Sequence, residues 1–251
     1  LILYAPQSDI SADEAEMLLA YLQGGGKLLL VTDYTETAMP NLAGVMEYYG
    51  TSLAEGIVLE GDSSRHMRGS NYYLLPSISS HDITQPLADG GYYVLMPVAQ
   101  GIRISEELRD GLSVTSLLTT TSSSYAKADG YNMTTYDKEE GDAEGPFALG
   151  VAISEETDTG STGIVWLTTS YMFDQETDLM VSGANTDLFL NALDWMCQRE
   201  SAISIRAKDL SAEYLTVSSA DANTWSLILV VTLPAAFLIA GAYVTITRRK
   251  R

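Results

Sequence analysis

The stretch that decides the fold is LILYAPQSDISADEAEMLLAYLQGGGKLLLVTD, residues 1–33. The apolar run 1–5 predicts a short strand. Ser11 and Glu14 then form the pattern of a capping box, in which each side chain bonds the other residue's amide at the start of a helix. Apolar residues recur at helical spacing as far as Leu22, three glycines supply a helix end, and a buried strand pattern follows. A strand, a helix and a second strand in so short a stretch predict a parallel βαβ unit.

The alternation of helix and strand patterns continues beyond this unit. NLAGVMEYYG predicts a second helix and EGIVLE a third strand, so we expect an α/β fold with a largely parallel sheet flanked by helices. The polar, acidic stretch 122–146 predicts an exposed loop. Further strands are predicted at 92–98, 114–121, 148–154 and 162–170, and a late helix is predicted to begin at an Asn185–Asp187 cap.

The C-terminal region contains an uncharged run, residues 226–247. In a helix this run is long enough to cross the roughly 30 Å hydrocarbon core of a bilayer. Trp225 suits one interface, and both Pro234 and Gly241 are tolerated in transmembrane helices. We therefore predict a transmembrane helix at 225–247.

The chain closes with the basic tail Arg248, Arg249, Lys250 and Arg251. Short segments rich in Lys and Arg remain on the cytoplasmic side, so the tail predicts a cytoplasmic C-terminus and an extracytoplasmic bulk in the cell membrane. The predicted division is an α/β domain at 1–200, a juxtamembrane strand and linker at 201–224, the membrane helix at 225–247, and the tail at 248–251.

Charge and cysteine content exclude several classes of function. Without the four tail cations, 10 basic residues stand against 33 acidic ones, which gives the soluble part a charge of about −23. This argues against nucleic acid or an anionic lipid surface as a partner. Cys197 is the only cysteine and is predicted to be a buried, unreactive thiol.

The start of the chain lacks a signal-peptide pattern, so we expect it to be the C-terminal piece of a longer protein.

We find no sequence pattern for catalysis or for a cofactor. The glycines before Lys27 close a helix, whereas a phosphate-binding loop opens one. A nucleophile elbow requires a serine or cysteine on a tight strand-to-helix turn, which the sequence does not supply. The two histidines lack metal-ligand spacing. We therefore predict no catalytic residues, no metal, no cofactor and no enzymatic activity.

Four residues are candidates for binding a ligand. Asp33 and Tyr34 follow the second strand, at the edge of a parallel sheet where ligands usually bind, and Ser170 follows a later strand. His81 is an available imidazole. Three of the four have a structural alternative, since Asp33 and Ser170 also suit turns and His81 suits a polar turn beside a packed Ile83.

Several phrases resemble those of GldG-like auxiliary components of bacterial ABC transporters. They include residues 4–33, PNLAGVMEYYG, LPSISSHDITQPL, GANTDLFLNALDWM, ISIRAKDL and the closing LPAAFLIAGAYVTITRRKR. The resemblance implies a Rossmann-like, amidotransferase-like domain without a catalytic elbow. It also implies anchoring beside an ABC permease whose ATPase is a separate chain.

Three functions remain open. The first is a non-enzymatic accessory subunit of an ABC transporter, in contact with the permease and with substrate or envelope. The second is an extracytoplasmic receptor that binds a sugar or a cell-wall fragment near Asp33 and Ser170. The third is a degenerate hydrolase, which would need a nucleophile or a metal-binding trio to converge in space.

Overall fold

The computed structural model of the chain describes residues 1–157, 160–197 and 217–249. The strands are β1 (Ile2–Tyr4), β2 (Lys27–Val31), β3 (Thr51–Leu53), β4 (Ile57–Leu59), β5 (His66–Met67), β6 (Ser70–Leu74), β7 (Ser77–Ile78), β8 (Met96–Pro97), β9 (Ile102–Ile104), β10 (Leu112–Thr119), β11 (Tyr125–Lys127), β12 (Ala143–Glu144), β13 (Ala148–Thr157) and β14 (Gly160–Leu167). The α-helices are α1 (Ala12–Gln23), α2 (Pro40–Tyr48), α3 (Gln85–Asp89), α4 (Gln175–Met180), α5 (Ala184–Met196), α6 (Ser219–Ser226) and α7 (Leu233–Arg249).

The N-terminal βαβ unit forms as the sequence predicts. β1 and β2 are parallel neighbours, and α1 connects them. At the start of α1 the Glu14 amide donates to the Ser11 hydroxyl over 3.2 Å, and the Ser11 amide donates to the Glu14 carboxylate over 2.8 Å. Gly25 then turns the chain with a φ of 88°, a conformation that glycine adopts without a steric penalty.

The prediction of a largely parallel sheet is wrong, because most neighbouring strands run in opposite directions. The main sheet has the order β1-β2-β14-β13-β10-β7, with β9 pairing β13 and β3 pairing β9. Among the described strands of this sheet, only the β1–β2 and β2–β14 pairs are parallel, and the others are antiparallel. Successive antiparallel strands need no crossover helix, so the regular alternation of helix and strand stops after the second helix. The Rossmann-like assignment is not confirmed.

Two segments lie in smaller sheets that the sequence did not predict. β4, predicted as a third parallel strand, instead pairs antiparallel with β11 in a three-stranded sheet. β11 lies inside the stretch 122–146, and its three residues are buried. The prediction that this stretch is simply an exposed loop is therefore wrong.

The main sheet separates two hydrophobic clusters. On β2, Leu28 and Leu30 pack with residues of α1 and α2, whereas Leu29 and Val31 pack with residues of α5. Successive side chains of a strand point to opposite faces, so this alternation places helices on both sides of β2. The α/β class is thus confirmed, in the form of a mixed sheet.

The cap of α5 differs from the predicted one. Gly183 holds the N-cap position with a φ of 80°, and Asn185 lies within the helix. The carboxylate of Asp178 accepts from the amides of Asn185 and Thr186, each over 3.1 Å. The Asn185 side chain is buried and bonds the backbone of Leu95, so its role is to join α5 to the segment before β8.

Replacing Asn185 with alanine is expected to lower the free energy of unfolding by about 2–3 kcal/mol. The Asn185 amide accepts from the Leu95 N–H and donates to the carbonyls of Leu95 and Met172, and alanine leaves these groups unpaired. Urea titration in detergent micelles, followed by tryptophan fluorescence, measures the change. Asn191→Ala is the matched control, because Asn191 is half-buried and its side chain makes one bond, to the Ile83 carbonyl. An equal loss in both variants would contradict the assigned role.

Two further predictions concern the end of the domain. Cys197 is exposed at the end of α5, so the prediction of a buried thiol is wrong. The predicted domain boundary at residue 200 and the predicted strand at 203–208 lie outside the described residues.

The C-terminal helix begins at Ser219, six residues before the predicted start, and its first turn is capped by Ser218. The stretch Leu227–Thr232 within this helix is π-helical. It precedes Pro234, whose missing N–H interrupts the regular hydrogen bonding of the helix. Ser219–Arg248 is long and apolar enough to cross a membrane, and its most apolar window is not buried against the rest of the described chain. The predicted membrane helix is thus confirmed as a candidate span. Lys250 and Arg251 lie outside the described residues.

Candidate functional site

The candidate site lies where the parallel strands β2 and β14 end. The two strands are in register, with Val31 opposite Leu167. The residues that follow them therefore meet at one edge of the sheet, as predicted for Asp33 and Ser170. One Asp33 carboxylate oxygen accepts from the Ser170 amide over 2.5 Å, and the other accepts from its hydroxyl over 2.7 Å.

These two hydrogen bonds give Asp33 a structural role, in addition to any role in binding a ligand. Its carboxylate ties the ends of two strands together through charge-assisted hydrogen bonds. A carboxylate oxygen has two acceptor sites, so each oxygen retains capacity for one further donor. Asp33 can thus hold Ser170 and accept a hydrogen bond from a ligand at the same time.

A cavity of about 380 Å³ opens beside Asp33, between the end of β2 and helix α2. Its volume lies at the lower end of the range of small-molecule sites. The Trp166 indole N–H at the wall is already bonded to the Thr32 hydroxyl over 2.9 Å. The other polar residues of the lining are Asp33, Thr35, Thr37, Glu47, Ser52 and Gln100. The apolar lining includes Met39, Pro40, Leu42, Ala43, Met46 and Leu53. The cavity therefore suits a small, mainly apolar group with a donor directed at Asp33.

Several tyrosines lie near Asp33 and Ser170. The Tyr4 hydroxyl donates to the Ser170 carbonyl over 3.4 Å, and the rings of Tyr34 and Tyr131 meet edge to face at 5.1 Å. Tyr4 and Tyr131 are about half exposed. We call Tyr4, Tyr34, Tyr131 and Tyr171 the tyrosine cluster.

The phenols of Tyr4, Tyr34 and Tyr131 stay protonated at neutral pH. Burial raises the pKa of Tyr131 to about 12, and its hydrogen bond with Tyr171 and the charge of Asp33 add to the effect. Burial also raises the pKa of Tyr34 and of Tyr4, although the bond to Ser170 opposes the shift for Tyr4. These phenols therefore present hydrogen-bond donors beside flat apolar rings.

His81 lies apart from the other three predicted residues. Its ring meets Trp195 edge to face at 5.4 Å, and Trp195 lies next to Gly163 of β14. Gly163 is opposite Lys27, the first residue of β2, and so lies away from the strand ends that carry Asp33 and Ser170. The His81 Nδ1 accepts from the Ile83 amide over 3.2 Å, and burial lowers the pKa of His81 although Asp82 opposes the shift. His81 thus forms the polar turn that was its structural alternative, beside a buried Ile83.

Sequence reasoning named Asp33, Tyr34 and Ser170 as candidates but did not name Tyr131 or Trp166. Tyr131 lies in the stretch predicted as an exposed loop, and Trp166 faces the cavity from within a strand. Across the described ranges, His, Cys, Asp and Glu side chains form no group of three that could hold a metal ion.

No protein-family model and no curated protein matches this chain. Among solved structures, the N-terminal domain of mmIFT52 is similar, with a TM-score of 0.54 and 16% sequence identity. The similarity covers 78% of this chain and 75% of that one. At this identity the likeness concerns the fold alone.

Proposed function

We propose that this chain is a membrane-anchored, non-enzymatic accessory subunit of an ABC transporter. Its bulk lies outside the cytoplasm, and its C-terminal helix packs against the permease, which in turn engages a separate ATPase subunit. The observation that carries the proposal is the exposed apolar surface of the helix Ser219–Arg248. The resemblance of several sequence phrases to GldG-like auxiliary components selects the transporter class.

Small residues give this helix a face suited to another helix. Ala236 and Ala240 are one helical turn apart, and both are exposed. A Cβ added at Gly241 would meet nothing within 4 Å. Small residues let helix backbones approach closely in a bilayer, where van der Waals packing drives association. Leu229 and Leu233 extend the same face towards the domain.

The variant Ala236→Leu/Ala240→Leu is expected to reduce the permease recovered with this chain by about tenfold. Leucines at a close helix contact cause overpacking of about 1–3 kcal/mol. The measurement is affinity purification of the full-length protein from native membranes, with quantification of the permease. The matched control is Ala235→Leu/Ala242→Leu, which makes the same replacements on a different face, 100° or more round the helix from Ala236 and Ala240. Equal recovery from all variants, or no permease at all, would contradict the proposal.

A second candidate function is an extracytoplasmic receptor for a sugar or a cell-wall fragment. The tyrosine cluster favours it, because exposed tyrosine rings beside Asp33 offer flat surfaces together with hydrogen-bond donors and acceptors. Isothermal titration of the chain in micelles with cell-wall oligosaccharides tests this function. Saturable binding that Tyr131→Ala weakens at least tenfold would support it, with Tyr21→Ala as the control at an exposed tyrosine elsewhere.

A further inference from the structure

The start of the C-terminal helix is held by a loop of the domain. Ser218 forms an antiparallel bridge with Met67 of β5, and the Ala220 amide donates to the Ser63 carbonyl over 3.0 Å. Ser218 and Ser219 are buried. The point at which the helix leaves the domain is therefore fixed by the segment 62–69, which we call the helix-docking loop.

The helix-docking loop lies close to the level at which the helix would enter a bilayer. From Ala220 to Ser226, where the uncharged run begins, the helix rises about 9 Å. The polar headgroup region on each side of the hydrocarbon core is roughly 5–7 Å thick. Long side chains of this loop can therefore reach lipid headgroups.

The helix-docking loop also carries Arg65 and Arg68, whose side chains form neither a hydrogen bond nor an ion pair within the described part of the chain. Arg68 is exposed in the turn between β5 and β6, and Arg65 is half-buried. The other lysines and arginines described before the helix have partners: Lys27 bonds Ser161, Arg103 lies over the Phe147 ring, Arg109 pairs with Glu155, Lys127 with Asp142, and Lys138 with Glu144.

Two acidic groups in or beside the helix-docking loop, Asp62 and Asp221, are engaged with hydroxyls and amides. Asp62 accepts from the Ser64 amide and hydroxyl, each over 2.8 Å, and Asp221 accepts from the Ser218 hydroxyl over 2.7 Å. The Ser64 bonds lower the pKa of Asp62, and Arg65 contributes a smaller part. The guanidinium groups thus keep donors for another anionic partner.

We propose that Arg65 and Arg68 bind the phosphates of phospholipid headgroups and so orient the domain on the membrane that its helix spans. The inference rests on the proposed membrane anchoring. The remaining surface is strongly acidic and is repelled by an anionic bilayer, so these arginines select the face that turns towards the lipid. The acidic net charge of the chain argues against binding to an anionic lipid surface. The position of Arg65 and Arg68 reverses that expectation for the helix-docking loop.

Electron paramagnetic resonance of the full chain in vesicles tests this orientation. A nitroxide is placed on Ser63→Cys in a Cys197→Ser background, and its collisions with nickel chelated to lipid headgroups are measured. Ser113→Cys provides the distant site, because it lies at the far end of β10 from Thr121, which bonds Glu60 just before the loop. In vesicles containing phosphatidylglycerol, the Ser63 label is expected to collide several-fold more often than the Ser113 label.

Arg65→Gln/Arg68→Gln is expected to lower the collision rate of the Ser63 label several-fold, since each cation near such a surface contributes about a fivefold preference. High salt should have the same effect. The single variants Arg68→Gln and Arg103→Gln each remove one positive charge, and only Arg68→Gln should lower the rate. Equal rates at Ser63 and Ser113, or equal effects of the two charge changes, would overturn the inference. Failure of the chain to float with vesicles would instead overturn the anchoring itself.

Discussion

The variant Phe237→Asp/Leu238→Asp is expected to leave the membrane fraction almost completely. Both residues lie near the middle of the uncharged run, and both are exposed along the helix. A charged residue at the centre of a transmembrane helix costs about 2.5–3.5 kcal/mol on insertion scales, so two aspartates cost roughly 5–7 kcal/mol. Extraction of membranes at alkaline pH, followed by immunoblotting of pellet and supernatant, measures the loss.

The matched control for this variant is Asn223→Asp/Thr224→Asp. Both control positions are exposed on the same helix but precede the uncharged run, so they remain outside the hydrocarbon core. We expect the control to stay in the pellet like the unaltered chain. If both variants stayed in the pellet, the helix would not be the element that holds the protein to the membrane.

Replacing Lys127 with methionine is expected to lower the free energy of unfolding of the domain by about 3–5 kcal/mol. The Lys127 side chain is only 1% exposed, and its ammonium lies 3.0 Å from Asp142 and 2.5 Å from Glu139. It also donates to the Asp137 carbonyl over 3.0 Å. Methionine fills a similar volume but leaves the carboxylate of Asp142, which is 5% exposed, buried without its counterion.

A double-mutant cycle separates the ion pair from the loss of packing. Lys127→Met/Asp142→Asn removes both charges, so we expect it to recover more than half of the stability lost in Lys127→Met. Urea titration in micelles measures all variants. A double variant no more stable than Lys127→Met would show that packing, and not the ion pair, accounts for the loss.

The same pair predicts how stability depends on pH. Burial alone would raise the pKa of Asp142, but bonds from the Glu139 amide and from Lys127 outweigh it and lower the pKa. Burial alone would lower the pKa of Lys127, but bonds to Glu139 and Asp142 outweigh it and raise the pKa. The contribution of Asp142 is present above its unfolded pKa of about 3.8 and is lost as the pH falls through its lower folded value.

The contribution of Lys127 is present below its unfolded pKa of about 10.5 and is lost as the pH rises through its higher folded value. The stability difference between the unaltered chain and Lys127→Met is therefore expected to be largest between these limits and to shrink at both. Urea titrations across the pH range measure it.

The elements predicted correctly from sequence are those that local patterns decide. The capping box at Ser11 and Glu14 needs only the spacing of two side chains, and a C-terminal helix long and apolar enough to cross a membrane needs only an uncharged run of sufficient length. The meeting of Asp33 with Ser170 required one further step, that both strands end at the same edge. These predictions depend on few long-range contacts.

Strand direction and partner choice could not be predicted, because apolar alternation is the same in parallel and antiparallel strands. Asn185 resembles a helix cap in sequence, yet the cap is supplied by Asp178 and Gly183, whose positions depend on how α4 meets α5. Tyr131 joins the site only because the segment after β11 returns to Tyr34. Nothing in the local sequence around Tyr131 indicates that contact.

The most direct test of the central claim is the location of the domain and of the C-terminus relative to the membrane. Single cysteines are placed at Ser113 and at Lys250 in a Cys197→Ser background of the full-length protein. Intact cells are treated with a membrane-impermeant maleimide before and after permeabilisation. We predict labelling of Ser113→Cys in intact cells and labelling of Lys250→Cys only after permeabilisation. Labelling of both cysteines from the same side would contradict a membrane-spanning helix with the domain outside the cytoplasm.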